Sequence, residues 1–172
     1  LKANEVGEIG LIRRISQVLR SQYLGDDCAV LDVGTEYLVV TIDMLHRVTD
    51  FPREMTGDDI GWMSVAVSLS DVAAMGARPL GVVAAMGIPG DTDVAFVEAI
   101  ARGMDRCART YGVEVVGGDT DQHQELTMVT AAFGLVRKDA VKLRSGARPG
   151  DLLCVTGYLG TPAAAYKALV EG

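Results

Sequence analysis

Cysteine, histidine, aromatic rings and positive charge are all scarce in this chain, and each shortage excludes something. The three cysteines, Cys28, Cys107 and Cys154, are odd in number and far apart. No C-x-x-C pair or Cys/His cluster accompanies them, so neither a disulfide framework nor a zinc site is supported. They read as small hydrophobes in a reducing cytosol. The two histidines, His46 and His123, have no nucleophile pattern around them and read as ordinary solvated side chains. No apolar run reaches the ~20 residues of a membrane span, and the N-terminus lacks a signal-peptide profile, so a cytoplasmic location without membrane contact is expected. Sixteen Lys and Arg stand against 23 Asp and Glu, a formal charge of −7. A nucleic-acid partner would need a basic stripe, which is missing. A nucleotide partner would need metal ions to bridge the like charges. Aromatics make up 5% of a chain that is 49% hydrophobic, so its core is built from Val, Ala, Leu and Met.

The 172 residues suffice for one domain, or one domain and the start of another. Gly7 to about Ser21 places Ile9, Ile12, Ile15 (or Ser16) and Leu19 at helical spacing, which predicts an amphipathic helix. Cys28–Val33 and Tyr37–Ile42 flank Gly34-Thr35-Glu36 as a β-hairpin with a three-residue loop. After a loop from His46 to Glu54, Thr56 with Asp59 forms an approximate capping box. The helix it starts shows Trp62, Val65, Ala66, Leu69, Val72 and Ala73 on one face and stops at Gly76. Leu80–Ile88 reads as a central strand. A third helix runs from about Asp91 or Thr92 to Tyr111-Gly112. Val113–Val116 and Leu126–Val136 are further strands.

From Lys138 to Gly150 the text turns polar and rich in Gly, Arg and Pro, so residues 1–137 are expected to be one domain and 138–150 a linker. Leu152–Thr156 reads as a strand and Thr161 to Val170 as a helix. Residues 151–172 are therefore expected to begin a C-terminal domain whose remainder is absent. A hairpin mixed with helical crossovers predicts an α+β fold, a mixed sheet covered by helices on one face. If the other face is apolar, a homodimer packing sheet against sheet would cover it.

Aspartates stand at the edges of these apolar segments, in Gly25-Asp26-Asp27-Cys28, Thr41-Ile42-Asp43, Leu69-Ser70-Asp71-Val72 and Gly117-Gly118-Asp119-Thr120. Carboxylates converging in one cleft would suit a hard cation such as Mg²⁺, which commonly carries substrate phosphates, so phosphoryl transfer is the first expectation. Asp71, set among small apolar residues near a helix C-terminus, is costly if buried without a cation, which favours a metal ligand over a solvated surface aspartate. Asp43 ends its strand with Thr41 on the same face, which suits a hydrated Mg²⁺; a strand-end turn explains it equally. Asp26 and Asp27 are open to plain turn chemistry. Gly117 and Gly118 would let the backbone approach a phosphate with Asp119 holding a metal on it, and a turn is again the alternative. Neither a P-loop nor a G-x-G-x-x-G fingerprint is present. Arg144 could pair with a phosphate or be an exposed linker residue.

In order and along nearly the whole chain, these segments resemble the thiamine-monophosphate kinase family, within the superfamily of aminoimidazole ribonucleotide synthetase and selenophosphate synthetase. Arg144-Ser145-Gly146-Ala147-Arg148-Pro149-Gly150-Asp151 and Val155-Thr156-Gly157-Tyr158-Leu159-Gly160 carry the likeness onward. The resemblance implies ATP-dependent phosphorylation of thiamine monophosphate to thiamine diphosphate. It implies Mg²⁺ ligands at Asp26, Asp27, Thr41, Asp43, Asp71 and Asp119, and ATP contacts at Gly118, Asp119 and Arg144. It also implies a homodimer whose N-terminal sheets form a barrel-like core. A phosphate monoester is already a nucleophile, so no catalytic general base is expected. Ile42 stands where the family often has a hydroxyl. Asp50 stands where many members carry a substrate-contacting histidine, and an aspartate there could meet the cationic thiazolium. Two alternatives stay open: a sister enzyme acting on another small substrate, and a non-catalytic nucleotide-binding dimerisation fragment.

Overall fold

The computed structural model describes residues 1–171. Helix α1 spans Ala3–Leu19, strand β1 Ala29–Asp32, β2 Glu36–His46, α2 Gly57–Ala74 and β3 Arg78–Ile88. Helix α3 follows at Val94–Thr110, then β4 at Val115–Gln122, β5 at Thr127–Arg137 and α4 at Thr161–Glu171. The five strands form one mixed sheet in the order β1-β2-β5-β3-β4. The β1/β2, β2/β5 and β5/β3 pairs are antiparallel, and β3/β4 is parallel because α3 crosses between them. The α+β expectation and the order of elements hold.

Helix α2 is well specified locally. The Asp59 N–H donates to Thr56 Oγ1 at 3.2 Å while the Thr56 N–H donates to Asp59 Oδ2 at 3.0 Å, a complete capping box. Asp58 and Asp59 in the first turn complement the helix dipole. Gly76, at φ +69°, turns the chain out of the helix toward β3. Helix α2 lies on β5, β2 and β3, and α3 packs mainly on α2. The two helices approach closely because Gly61 and Gly103 face each other's backbone: a Cβ on Gly61 would stand 1.9 Å from the Ile100 carbonyl oxygen. Ile60, Val65 and Val72 of α2, Ile100, Met104 and Cys107 of α3, and Val39, Val82, Met128 and Ala132 of the sheet fill the core.

Among the described residues, helices cover one face of the sheet. On the other face Ile42 and Met44 of β2 are 68% and 60% exposed, and Val83 of β3 and Val116 of β4 are also exposed. Helix α1 starts earlier than expected, is interrupted at Gly7 (φ 65°, ψ 178°), and buries none of its residues, so Ile9, Ile12, Ile15, Val18 and Leu19 stay exposed. The expected strand Leu152–Thr156 does not form. Those residues have no strand partner in the sheet, and Leu152 and Leu153 are nearly fully exposed. The predicted helix from Thr161 is present as α4.

Candidate functional site

The covered face of the sheet carries polar groups where α2 crosses β2. Strand β2 extends through His46, so Asp43 stands inside it, paired with Thr130 of β5, rather than at its end. Alternation puts Thr41 and Asp43 on the side facing α2. From the helix, Ser68 Oγ donates to Asp43 Oδ2 at 2.7 Å. From the strand, Thr41 Oγ1 donates to Asp71 Oδ2 at 2.7 Å. At the start of the hairpin, Arg144 Nη2 donates to Asp27 Oδ1 at 2.7 Å, and the Arg144 backbone N–H donates to Asp26 Oδ1 at 2.5 Å. Asp27, Asp43 and Asp71 are thus each held through one oxygen, and among the described residues the other oxygen of each takes no hydrogen bond.

These groups share one electrostatic neighbourhood. The Asp71 pKa is raised, chiefly by desolvation and then by Asp43 and Asp27, against the Thr41 hydrogen bond and Arg144, which lower it. Cys28, buried between them, is pushed up to about 12 by burial and then by Asp71, Asp27 and Asp43. Arg144 is raised by its hydrogen bond and charge pairing with Asp27, with smaller contributions from Asp26 and Asp71. The negative charge is therefore only partly compensated within the chain.

The donors fit a hard cation, since they are carboxylate and hydroxyl oxygens with free lone pairs. Among the described residues, no three His, Cys, Asp or Glu side chains form a metal site by themselves. A magnesium ion here would take one or two carboxylates and complete its shell with water and phosphate, as this ion commonly does.

Gly118 and Asp119 lie elsewhere. They belong to the edge strand β4 rather than to a turn after it, because β4 pairs with β3 from Val115 to Gln122. Asp43, Thr130, Ala84 and Gly118 occupy one row across the sheet. Three strand spacings separate its ends, roughly 14 Å. Gly118 has a structural reason to be glycine, since a Cβ would stand 1.9 Å from the Ala84 carbonyl oxygen. Asp119 lies with Ala85, Thr127 and Val129 around a small hollow on the uncovered face, exposed to solvent.

Asp50 lines a separate groove of about 480 Å³ with Pro52, Met55, Met63 and Tyr166. Its Oδ2 accepts from the His46 N–H at 2.7 Å and from Thr49 Oγ1 at 2.8 Å, so this carboxylate also braces its own loop. Sequence reasoning missed Ser68 and Thr130, which are fully buried beside Asp43, and the Cys28 thiol among the carboxylates. The available signal was Gly61, Ser64, Ser68 and Asp71, small or polar residues at three- and four-residue spacing along one stripe of an apolar helix.

Residues 25–136 match the family model described as AIR synthase related protein, N-terminal domain. A thiamine-monophosphate kinase of Methanospirillum hungatei is 49% identical over 150 residues, 87% of this chain and 51% of the relative. One from Halobacterium salinarum is 51% identical over 148 residues, 86% of this chain and 49% of the relative. A solved structure described as AaThiL complexed with AMPPCP and TMP superposes with a TM-score of 0.95 at 32% identity, covering 99% of this chain and 55% of that one. The chain spans about half the length of the curated relatives it matches.

Proposed function

The chain belongs to the AIR synthase related family, as its N-terminal domain, and from that membership we propose that it is the nucleotide-binding half of a thiamine-monophosphate kinase. The observation that carries this is the group of Asp27, Asp43 and Asp71, each held through one oxygen on the covered face with Arg144 beside it. The similar structure bound to AMPPCP and TMP supports the same substrates here.

In the proposed reaction a phosphate oxygen of thiamine monophosphate attacks the γ-phosphorus of ATP. The new P–O bond forms as the bond from that phosphorus to the β,γ-bridging oxygen breaks, giving thiamine diphosphate and ADP. The attacking oxygen is already anionic, so no residue need remove a proton. Asp26, Asp27, Thr41, Asp43 and Asp71 are the proposed ligands for Mg²⁺, which when bound would offset phosphate charge. Arg144 has further guanidinium N–H groups without an acceptor among the described residues, and these would fork onto a phosphate. Asp119 is assigned to metal and nucleotide together with the homodimer, because it stands on the uncovered face that a second copy would close, and Gly118 beside it is assigned to the nucleotide through its backbone. Asp50 borders the groove assigned to the cationic thiazolium, with Tyr166 offering a ring face.

Residues 1–137 form the proposed ATP-binding and dimerisation domain, 138–150 a linker and 151–172 the start of a C-terminal domain. No helix among the described residues is long and apolar enough to cross a membrane. A cytoplasmic enzyme is proposed. Incubation of the full-length protein with ATP, Mg²⁺ and thiamine monophosphate should yield thiamine diphosphate, and absence of product at every Mg²⁺ concentration would refute the assignment.

A further inference from the structure

Ser68 and Thr130 are both fully buried, at 0% and 1% exposure, between α2 and β5. Ser68 Oγ lies 2.7 Å from Asp43 Oδ2, 2.9 Å from Thr130 Oγ1 and 3.1 Å from the Thr130 carbonyl oxygen. Thr130 Oγ1 also lies 2.5 Å from the Ser64 carbonyl oxygen.

Counting protons gives this network a direction. Each hydroxyl carries one proton. An ionised carboxylate is the strongest acceptor near Ser68 and the nearest, so the Ser68 proton goes to Asp43. Thr130 likewise has one proton, and its nearest acceptor is the Ser64 carbonyl oxygen at 2.5 Å, so its hydroxyl donates there. Ser68 therefore serves Asp43, and Thr130 ties β5 to α2 beside it.

We propose that Ser68 is a positioning residue, whose hydroxyl fixes Asp43 through Oδ2 and leaves Oδ1 free for the metal-bound nucleotide. This rests on the proposed nucleotide site. Outer hydrogen bonds of this kind orient a ligating carboxylate, and their loss typically weakens metal binding about 10- to 100-fold. Ser68 does not need to touch the nucleotide. Ser64 offers an internal control: it is equally buried on the same helix stripe, yet its hydroxyl donates to the Ile60 carbonyl oxygen at 2.8 Å.

The test is the Mg²⁺ concentration that half-saturates binding of AMPPCP to the full chain, read by calorimetry beside the melting temperature without metal. Ser68→Ala should raise that concentration about 10-fold, Ser68→Cys, which keeps the volume with a weaker donor, should raise it less, and Thr130→Val should lose stability without moving it. Ser64→Ala should lose stability without moving it. If Ser68→Ala does not fold, Ser68→Cys decides. Wild-type Mg²⁺ dependence in both Ser68 variants, or an equal shift in Ser64→Ala or Thr130→Val, overturns the positioning role while Asp43→Asn still weakens binding. Unchanged binding in Asp43→Asn overturns the nucleotide site and the positioning role together.

Discussion

The two faces of one sheet differ in what each strand turns toward them. On the covered face Val39, Thr41 and Asp43 of β2 meet α2, and the polar groups there are hydrogen-bonded to helix side chains. On the bare face Leu38 and Val40 of the same strand are half-buried, and Ile42 and Met44 are exposed. Along β2, charge is thus placed where the fold supplies donors, and the aliphatic residues at its far end are left exposed. Proteins seldom leave such a face to water, which is why a second copy is the proposed cover.

The largest effect should follow from charging the bare face. Ile42→Glu is expected to raise the dimer dissociation constant about 100-fold, ~2.7 kcal/mol, seen by sedimentation as a shift to monomer. An unchanged association state would remove the sheet from the interface. The next contrast is between two glycines. A Cβ on Gly134 of the covered face would stand 2.8 Å from Val72 Cγ1 and 2.7 Å from the Arg78 carbonyl oxygen, whereas one on Gly117 of the bare face meets only Val83 Cγ1 at 3.9 Å. Gly134→Ala should cost about 1–3 kcal/mol in chemical denaturation, and Gly117→Ala should stay within about 0.5 kcal/mol of wild type. Equal costs would mean that the faces are packed alike.

Acid titration sharpens the comparison further. The folded-state pKa of Asp71 is raised above 3.8, chiefly by desolvation. Between 3.8 and that raised value the folded protein holds more protons than the unfolded chain, so stability falls as pH rises through this window and then levels. Asp71→Asn should flatten that fall in urea midpoints, and a wild-type profile in the variant would contradict it. The smallest effect is kinetic. Cys28 and Cys107 are buried with pKa values pushed up to about 12 and about 11, while Cys154 is exposed. A maleimide at neutral pH should label Cys154 alone until the protein unfolds; rapid labelling of Cys28 would show the covered face to be open.

Much of this arrangement was legible in the sequence. The capping box at Thr56, the stop at Gly76 and the hairpin around Gly34 are local signals, and the structure keeps them. What stayed hidden depends on partners far along the chain. Asp43 read as a strand end because the apolar run stops at Ile42, yet β2 continues to His46 through its pairing with β5. Gly117-Gly118-Asp119 read as a phosphate-approaching segment after the strand, or as a turn, because glycine often marks either, yet parallel pairing with β3 keeps it inside the strand whatever its side chains. Leu152–Thr156 has the composition of a strand and finds no partner. Apolar periodicity picked Val65 and Val72, which are fully buried, but also Trp62, Ala66 and Ala73, which are not, and it passed over Ser64 and Ser68, which are fully buried beside them. A hydroxyl on a core stripe becomes informative only once its acceptor across the interface is known.

The central claim is that the carboxylates of the covered face bind nucleotide through a metal ion. The most direct test is AMPPCP binding to the wild-type chain and to Asp71→Asn, each with Mg²⁺ and with excess chelator. Wild type should bind only with Mg²⁺, and Asp71→Asn should bind at least about 10-fold more weakly under the same conditions. Equal affinity of the two proteins, or wild-type binding that survives the chelator, would contradict the account.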